Sequence, residues 1–160
     1  YISSLKDFRF YNYTFKALKL LSSLTEYFII ITNQSGISRG LIKNEDLLEI
    51  NSFISKQFTK NRLNLLDIYY CIDHPDKPSN RRKPGVGMFL EASSEHNINL
   101  SKCIMIGDSS KDIIPASELD MESMFVLSGK GKYDQNQLNE NFKPNYIADN
   151  LYEGARVLVK

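Results

Sequence analysis

The chain has 160 residues, of which 42% are apolar, which is enough for one compact α/β domain and short for two. Its 20 basic and 19 acidic residues are interspersed and give a net charge of +1, so the chain lacks the field that gathers nucleic acid or acidic lipid. No apolar run reaches the length of a membrane span. We therefore expect a single domain over residues 1–160, without nucleic-acid or membrane partners.

The two cysteines, Cys71 and Cys103, both lie in apolar runs that read as strands. This placement is typical of buried, reduced thiols rather than of a disulfide framework. The pattern favours a cytoplasmic protein, which we expect to be a monomer.

Helix and strand patterns alternate along the first half of the chain. Apolar residues at helical spacing from Tyr13 to Leu24 predict a helix, and the run from Tyr27 to Thr32 predicts a short buried strand. A second helix is expected to begin near Asn44, whose side chain can cap it, and a strand follows at Leu66 to Cys71.

A long irregular segment from Ile72 to Val86, which contains three prolines, separates this half from the next, and long loops of this kind are usually functional. The alternation then resumes and predicts an α/β fold with a parallel sheet covered by helices on both faces. The later elements are expected at Gly87 to His96 (helix), Cys103 to Ile106 (strand), Asp112 to Leu119 (helix), Ser123 to Leu127 (strand) and Leu151 to Leu158 (helix).

Three polar motifs lie where a predicted strand or long loop ends. After the first strand, the hydroxyl, amide and backbone N–H groups of Thr32, Asn33, Gln34 and Ser35 enter a glycine-containing loop that can surround phosphate oxygens. An ordinary polar turn is the alternative interpretation. Because the carboxyl ends of parallel strands form the ligand-binding edge of such sheets, the three motifs are expected to form a common site.

The second motif, RRKPGVGMF, places Lys83 directly before Pro84, which restricts the lysine backbone to extended conformations. A fixed ammonium can neutralise charge between a carboxylate and a phosphoryl group, and Arg82 offers a planar fork for a second phosphate. A solvated basic turn is the alternative.

In the third motif, IMIGDSSKD, Asp108 follows an apolar strand and a glycine, and Asp112 lies one helical turn later. Mg²⁺ prefers one or two such carboxylates together with phosphate and water. Alternatively, Asp108 caps the next helix, and Asp112 supports Asp108 or the first helical turn.

Taken together, TNQSGISRG, YYCIDHP, RRKPGVGMFLEA, MIGDSSKDI and LSGKGK resemble the haloacid dehalogenase superfamily of aspartate-nucleophile phosphatases. Within it, the chain is most similar to the heptose 1,7-bisphosphate phosphatase subfamily, over nearly its whole length. The resemblance implies a Rossmann-like, three-layer parallel sheet with a minimal cap, a Mg²⁺ cofactor and a phosphosugar substrate. The implied roles are stabilisation of the transferring phosphoryl group for Thr32 and Lys83, substrate binding for Asn33, Gln34, Ser35 and Arg82, and metal binding for Asp108 and Asp112.

Two departures from this family pattern concern the nucleophile and zinc. The Asp-x-Asp pair that carries the nucleophile in the family occurs nowhere in the 160 residues, so we expect an N-terminally incomplete domain that lacks its central first strand and is inactive by itself. Many relatives bind Zn²⁺ through thiols before the lysine motif, where this chain has Ser79, Asn80 and Arg81, so we expect no zinc there.

The resemblance leaves three functions open. The first is hydrolysis of the C7 phosphate of a heptose 1,7-bisphosphate, and the second is hydrolysis of histidinol phosphate. The third is an inactive phosphosugar-binding protein that keeps the phosphate-binding residues and performs no chemistry.

Overall fold

A computed structural model describes all 160 residues and contains five strands and six α-helices, joined by loops and short 3₁₀ turns. The strands are β1 (Phe28–Asn33), β2 (Leu65–Cys71), β3 (Ile104–Gly107), β4 (Glu122–Val126) and β5 (Tyr146–Ala148). The helices are α1 (Thr14–Leu21), α2 (Asn44–Lys60), α3 (Gly87–His96), α4 (Ser110–Glu118), α5 (Gly131–Asp134) and α6 (Leu151–Leu158).

Every strand pair is parallel, which confirms the predicted α/β class, but the strands form two sheets instead of one. β1 pairs with β2 in one sheet, and the other has the order β3-β4-β5. In the first, Thr32 lies opposite Tyr70, and in the second, Ile106 lies opposite Met124. β1 and β3 are therefore each paired on one side only.

The sheet of β1 and β2 is covered by helices on both faces. Ile29 and Ile31 pack against a cluster that includes Met88 and Ala92 of α3. Their neighbours along the strand, such as Ile30, pack on the opposite face, in a cluster formed by α1, α2 and the start of β2. Because successive strand side chains point to opposite faces, the continuous apolar run of β1 supplies packing side chains to the helices on both faces of the sheet.

A third cluster connects the two sheets. Ala17 and Leu21 of α1 pack with Ala155 of α6, and Phe28 from β1 and Ile106 from β3 both contact this cluster. The unpaired edges of β1 and β3 are thus held near the same helical pair, although the two strands do not pair with each other.

One local prediction was wrong, and one strand was missed. α2 begins at Asn44, as predicted, but Asn44 is its first helical residue and does not cap it; the N-cap is Lys43, whose side chain makes no capping hydrogen bond. β5 was not predicted, because its three residues are too few to show an alternating pattern within a polar segment. The position of β5 is determined by its pairing with β4 and by the preceding Asn145, whose side chain accepts the N–H of Ser123 at 2.8 Å.

None of the helices combines the length and the apolar character that crossing a bilayer requires.

Candidate active site

The end of β1 passes into a tight turn. The Gln34 N–H donates to the carbonyl of Cys71 at 2.7 Å, so pairing with β2 extends one residue beyond the strand. Ser35 is buried, and its carbonyl accepts the N–H of Arg39 at 3.1 Å and the hydroxyl of Ser38 at 3.0 Å. The side-chain amide of Gln34 makes no hydrogen bond within the chain and is free for a ligand.

Asn33 fixes the backbone of Lys83 through two reciprocal hydrogen bonds. Its Nδ2 donates to the Lys83 carbonyl at 3.0 Å, and its Oδ1 accepts the Lys83 N–H, also at 3.0 Å. The side chain thus imitates a paired backbone and joins two segments 50 positions apart in sequence. The predicted contact of Asn33 with substrate stays a prediction, and the structure adds this second task.

The Lys83 side chain is buried and points into the molecule. Its Nζ donates to the carbonyl of Ile31 in β1 at 2.8 Å and pairs with Asp112 Oδ1 of α4 at 2.5 Å. Only 10% of the Lys83 side chain and 7% of the Asp112 side chain are exposed. A charge removed from water in this way interacts more strongly with a nearby anion than it would at the surface.

Asp112 is held by the turn that precedes α4. Its Oδ2 accepts the N–H of Ser109 at 3.2 Å, which completes a capping box with Ser109 as the N-cap of α4. Gly107 permits this approach, because a Cβ at that position would overlap the Asp112 carboxylate. The alternative interpretation of Asp108 as the helix cap is therefore wrong, and Asp108 is available for another task.

Asp108 lies between the end of β3 and the cap of α4. Its Oδ2 accepts the N–H of Lys130 at 2.8 Å, whereas no group of the chain donates to Oδ1. A Cβ at Gly129, whose φ is +59°, would overlap Oδ2, so the backbone there is fitted closely around the carboxylate. A half-buried carboxylate with one free oxygen at a strand end is a suitable ligand for Mg²⁺.

Asp134 of α5 is a residue of this region that the sequence did not reveal. Its Oδ2 accepts the N–H of Ser110 at 2.5 Å and the hydroxyl of Ser109 at 3.0 Å. Burial would raise the pKa of Asp134, but the hydrogen bonds from Ser110 and Ser109 outweigh it and hold the pKa below its ordinary value. Asp134 lies 25 positions after Ser109 in the sequence, and no regular spacing between the two residues could indicate this contact.

Arg82 and the loop around Cys71 complete the surroundings. One Nη of Arg82 donates to the carbonyl of Asp73 at 3.3 Å, and the Asp73 carboxylate accepts the N–H of Ser79 at 2.6 Å. His74 accepts the N–H of Asp76 at 3.1 Å through Nδ1. Burial raises the pKa of the Cys71 thiol, which disfavours the thiolate that zinc requires. The expectation that zinc is absent from this loop stays a prediction.

The structure thus places Lys83 in contact with both Asn33 and Asp112, with Thr32 beside Asn33 and Asp108 in the turn before α4. The hydroxyl of Thr32 makes one long hydrogen bond, 3.4 Å to the neighbouring carbonyl, and so keeps most of its capacity for a ligand. The candidate site thus consists of the buried Lys83 ammonium with hydroxyl, amide and carboxylate groups around it.

Comparison with known proteins identifies the family of the chain. The HAD-hydrolase-like family model, where HAD stands for haloacid dehalogenase, matches residues 80–154. The D-glycero-beta-D-manno-heptose-1,7-bisphosphate 7-phosphatase of Photorhabdus laumondii is 30% identical over 157 residues, which cover 93% of this chain and 84% of that protein. The protein of the same name from Helicobacter pylori is 33% identical over 128 residues, with coverage of 79% and 74%. The chain belongs to the haloacid dehalogenase-like hydrolase family.

Solved structures show the same fold for this hydrolase. The D,D-heptose 1,7-bisphosphate phosphatase of B. bronchiseptica, determined with magnesium and phosphate, has a TM-score of 0.87 and 23% identity, covering 99% of this chain and 88% of that one. A putative HAD-like phosphatase of Mesorhizobium loti gives a TM-score of 0.79 at 17% identity, with coverage of 99% and 77%. The predicted superfamily and Rossmann-like fold are confirmed.

Proposed function

We propose that this hydrolase is a phosphatase that removes the C7 phosphate of D-glycero-D-manno-heptose 1,7-bisphosphate. The observation that carries the proposal is the buried Lys83 ammonium, held between Ile31 and Asp112 at the end of β1. A cation fixed in a site of low dielectric needs no reorganisation to stabilise the charge that develops on a transferring phosphoryl group. The substrate is proposed from the names of the relatives that share 30% and 33% of their aligned residues with this chain.

Each predicted site residue has a role in this proposal. Thr32 and Lys83 stabilise the transferring phosphoryl group, and the Asn33 amide keeps Lys83 in position while its neighbours Gln34 and Ser35 contact the substrate. Arg82 binds the second phosphate through its guanidinium fork. Asp108, with Asp112 as a neighbouring ligand, would hold Mg²⁺, which would supply positive charge to neutralise the phosphate.

The proposal includes a nucleophile supplied from outside these residues. The 160 residues contain no Asp-x-Asp pair, while β1 and β3 each leave one edge unpaired near the cluster of Ala17, Leu21 and Ala155. We infer that a further strand lies between β1 and β3 and presents the aspartate that attacks phosphorus, with a second aspartate as acid and base. The 160-residue chain alone should then be inactive.

The test measures phosphate release from heptose 1,7-bisphosphate and from histidinol phosphate by a protein that includes the proposed strand. We expect a clear preference for the bisphosphate, because Arg82 is available for the second phosphate. Arg82→Gln should reduce that preference by raising KM for the bisphosphate, and Asp108→Asn should lower kcat by at least about a hundredfold. Full activity of the 160-residue chain alone would contradict the mechanism, and a preference for histidinol phosphate would contradict the substrate.

We also propose that the enzyme is cytoplasmic and monomeric. Both cysteines are free thiols, which is consistent with a reducing compartment.

A further inference from the structure

A cluster of three potential metal ligands lies outside the site described above. Asp67 of β2, together with Glu95 and His96 at the end of α3, offers one ligand atom from each residue, all within 4.8 Å of one another. His96 Nε2 lies 3.3 Å from Asp67 Oδ2. This separation matches the edge of a zinc coordination tetrahedron, which is about 3.4 Å for ligands about 2.1 Å from the metal.

The two carboxylates of this cluster lack a permanent cationic partner. Asp67 contacts His96 and its own neighbouring N–H at Ile68, and Glu95 accepts only the hydroxyl of Tyr69. No lysine or arginine lies within ion-pair distance of either carboxylate. Two carboxylates and an imidazole whose ligand atoms lie within 4.8 Å of one another form a site that attracts a divalent cation.

Tyr69 holds two of the three ligands in place. It donates its hydroxyl to Glu95 Oε2, and its ring packs edge to face against His96, with centroids 6.4 Å apart and an interplanar angle of 87°. Because Tyr69 is buried in the core, its two contacts orient Glu95 Oε2 and the plane of the His96 imidazole. Outer groups that orient metal ligands in this way strengthen metal binding.

We propose that Asp67, Glu95 and His96 bind one divalent transition-metal ion of the zinc class. An imidazole with two carboxylates suits Zn²⁺, whereas Mg²⁺ prefers oxygen ligands alone. Glu95 is exposed, and its Oε1, which accepts no hydrogen bond, is available to a metal that lies beside His96 and Asp67. Asp67 itself is 44% exposed at its side chain, so an ion can enter from solvent.

The bound ion would fasten α3 to β2. Asp67 lies in the first half of β2, and His96 is the last residue of α3, whereas the carboxyl end of β2 leads into the loop that carries Lys83. The metal would thus anchor the helix that follows that loop, at the opposite end of the strand from the phosphate-binding residues. Its role is structural and does not depend on the proposed catalytic function.

The test is calorimetric titration of the protein with ZnCl₂ in the presence of saturating Mg²⁺. The chain has two histidines, His74 and His96, which gives a matched control. We expect one Zn²⁺ per chain, at least about tenfold weaker binding in His96→Gln, Asp67→Asn and Glu95→Gln, and unchanged binding in His74→Gln. Zn²⁺ should also raise the melting temperature of the wild type and of His74→Gln, but not that of His96→Gln.

Cobalt provides a readout that does not depend on the variants folding. Co²⁺ bound to the wild type should show a tetrahedral or five-coordinate visible spectrum without thiolate-to-cobalt charge transfer. The proposal is overturned by absence of binding, by equal affinity in all variants, or by binding that His74→Gln removes or that shows a thiolate band. The last two results would place the ion in the loop after Cys71.

Discussion

Lys83 shows how a charged residue is maintained in the interior of this hydrolase. It is 8% exposed, and its backbone is fixed by Asn33 while its ammonium has two acceptors in Ile31 and Asp112. A buried ion pair of this kind contributes little net stability compared with apolar side chains, but loss of one partner leaves the other charge buried alone. The pair is therefore better explained by the position it gives the ammonium than by the stability it provides.

Lys83→Met keeps the length of the side chain and leaves the Asp112 carboxylate without its cation. We expect the free energy of unfolding, measured by urea denaturation, to fall by about 3–5 kcal/mol. The double variant Lys83→Met/Asp112→Asn should recover most of this loss, since the neutral amide oxygen still accepts the Ser109 N–H. In a protein that includes the proposed strand, phosphatase activity should be lost in both variants. A double variant no more stable than the single one would refute the ion-pair explanation.

At the scale of elements, the turn from β3 to α4 contributes several neighbouring residues to the candidate site. Within six residues it provides a glycine for close approach, Asp108 as the proposed metal ligand, Ser109 as N-cap and Asp112 as the partner of Lys83. The order of these groups along the sequence has a geometric reason. When a helix begins directly after a strand, the side chain of its third residue can lie back beside the end of the strand.

Gly107→Ala should disturb this turn by forcing the Asp112 carboxylate away from Lys83. We expect a loss of about 1–3 kcal/mol in unfolding free energy. The matched control is Gly40→Ala, where no atom lies within 4 Å and only the backbone conformation, with a φ of +70°, is unfavourable. In double-mutant cycles, the changes in unfolding free energy caused by Gly107→Ala and Lys83→Met should differ from additivity by roughly 1 kcal/mol. The changes caused by Gly40→Ala and Lys83→Met should be additive. Equal coupling for both glycines would show that the effect is not specific to the turn.

Helix α5 is tied to α4 through Asp134, and this contact should depend on pH. The pKa of Asp134 is lowered in the folded state, so its contribution is fully present above its unfolded pKa of about 3.9 and is lost as the pH falls through the folded pKa. We expect Asp134→Asn to cost about 1 kcal/mol at pH 7 and to have a smaller effect in acid. Denaturation of both proteins across pH 2 to 7 would check this, and a difference that grows toward low pH would contradict it.

At the scale of the whole molecule, the two sheets are held together mainly by helices. α1 packs against α6, and the cluster of Ala17, Leu21 and Ala155 receives one residue from β1 and one from β3. The apolar side chains of β1 and β3 are only partly buried, whereas Ser123 to Val126 of β4 are fully buried. The difference follows from pairing, because β4 has a neighbour on both sides.

Unpaired, partly exposed apolar strands are sites of association between copies. We expect the 160-residue chain to self-associate with increasing concentration, as measured by analytical ultracentrifugation, and a protein that includes the proposed strand to remain monomeric. Ile104→Lys on β3 should reduce the association, while Leu90→Lys, at an exposed position on α3, should not. A concentration-independent monomer of the 160-residue chain would show that the strand edges are not available.

The sequence predicted most of the fold, because long apolar patterns such as those of α2 and β2 are dominated by local periodicity. It also indicated candidate site residues from their positions, since Thr32 lies near the end of β1, Lys83 lies in the long loop after β2 and Asp108 directly follows β3. It did not reveal the pairing of Asn33 with Lys83, the contact of Asp134 with Ser109, or β5, all of which join segments distant in sequence. Whether a polar side chain contacts a ligand or another part of the chain depends on such tertiary partners.

Taking the two halves as residues 1–96, which contain β1, β2 and α3, and residues 104–160, which contain β3 to β5, the ion pair of Lys83 and Asp112 is the only one that joins them. A phosphate that attracts the ammonium competes directly with Asp112 for it. Ligand affinity and the free energy that holds the two halves together are then thermodynamically linked, and each must change the other by the same amount. Substitutions at the α1–α6 contact, far from any phosphate, should therefore alter substrate affinity.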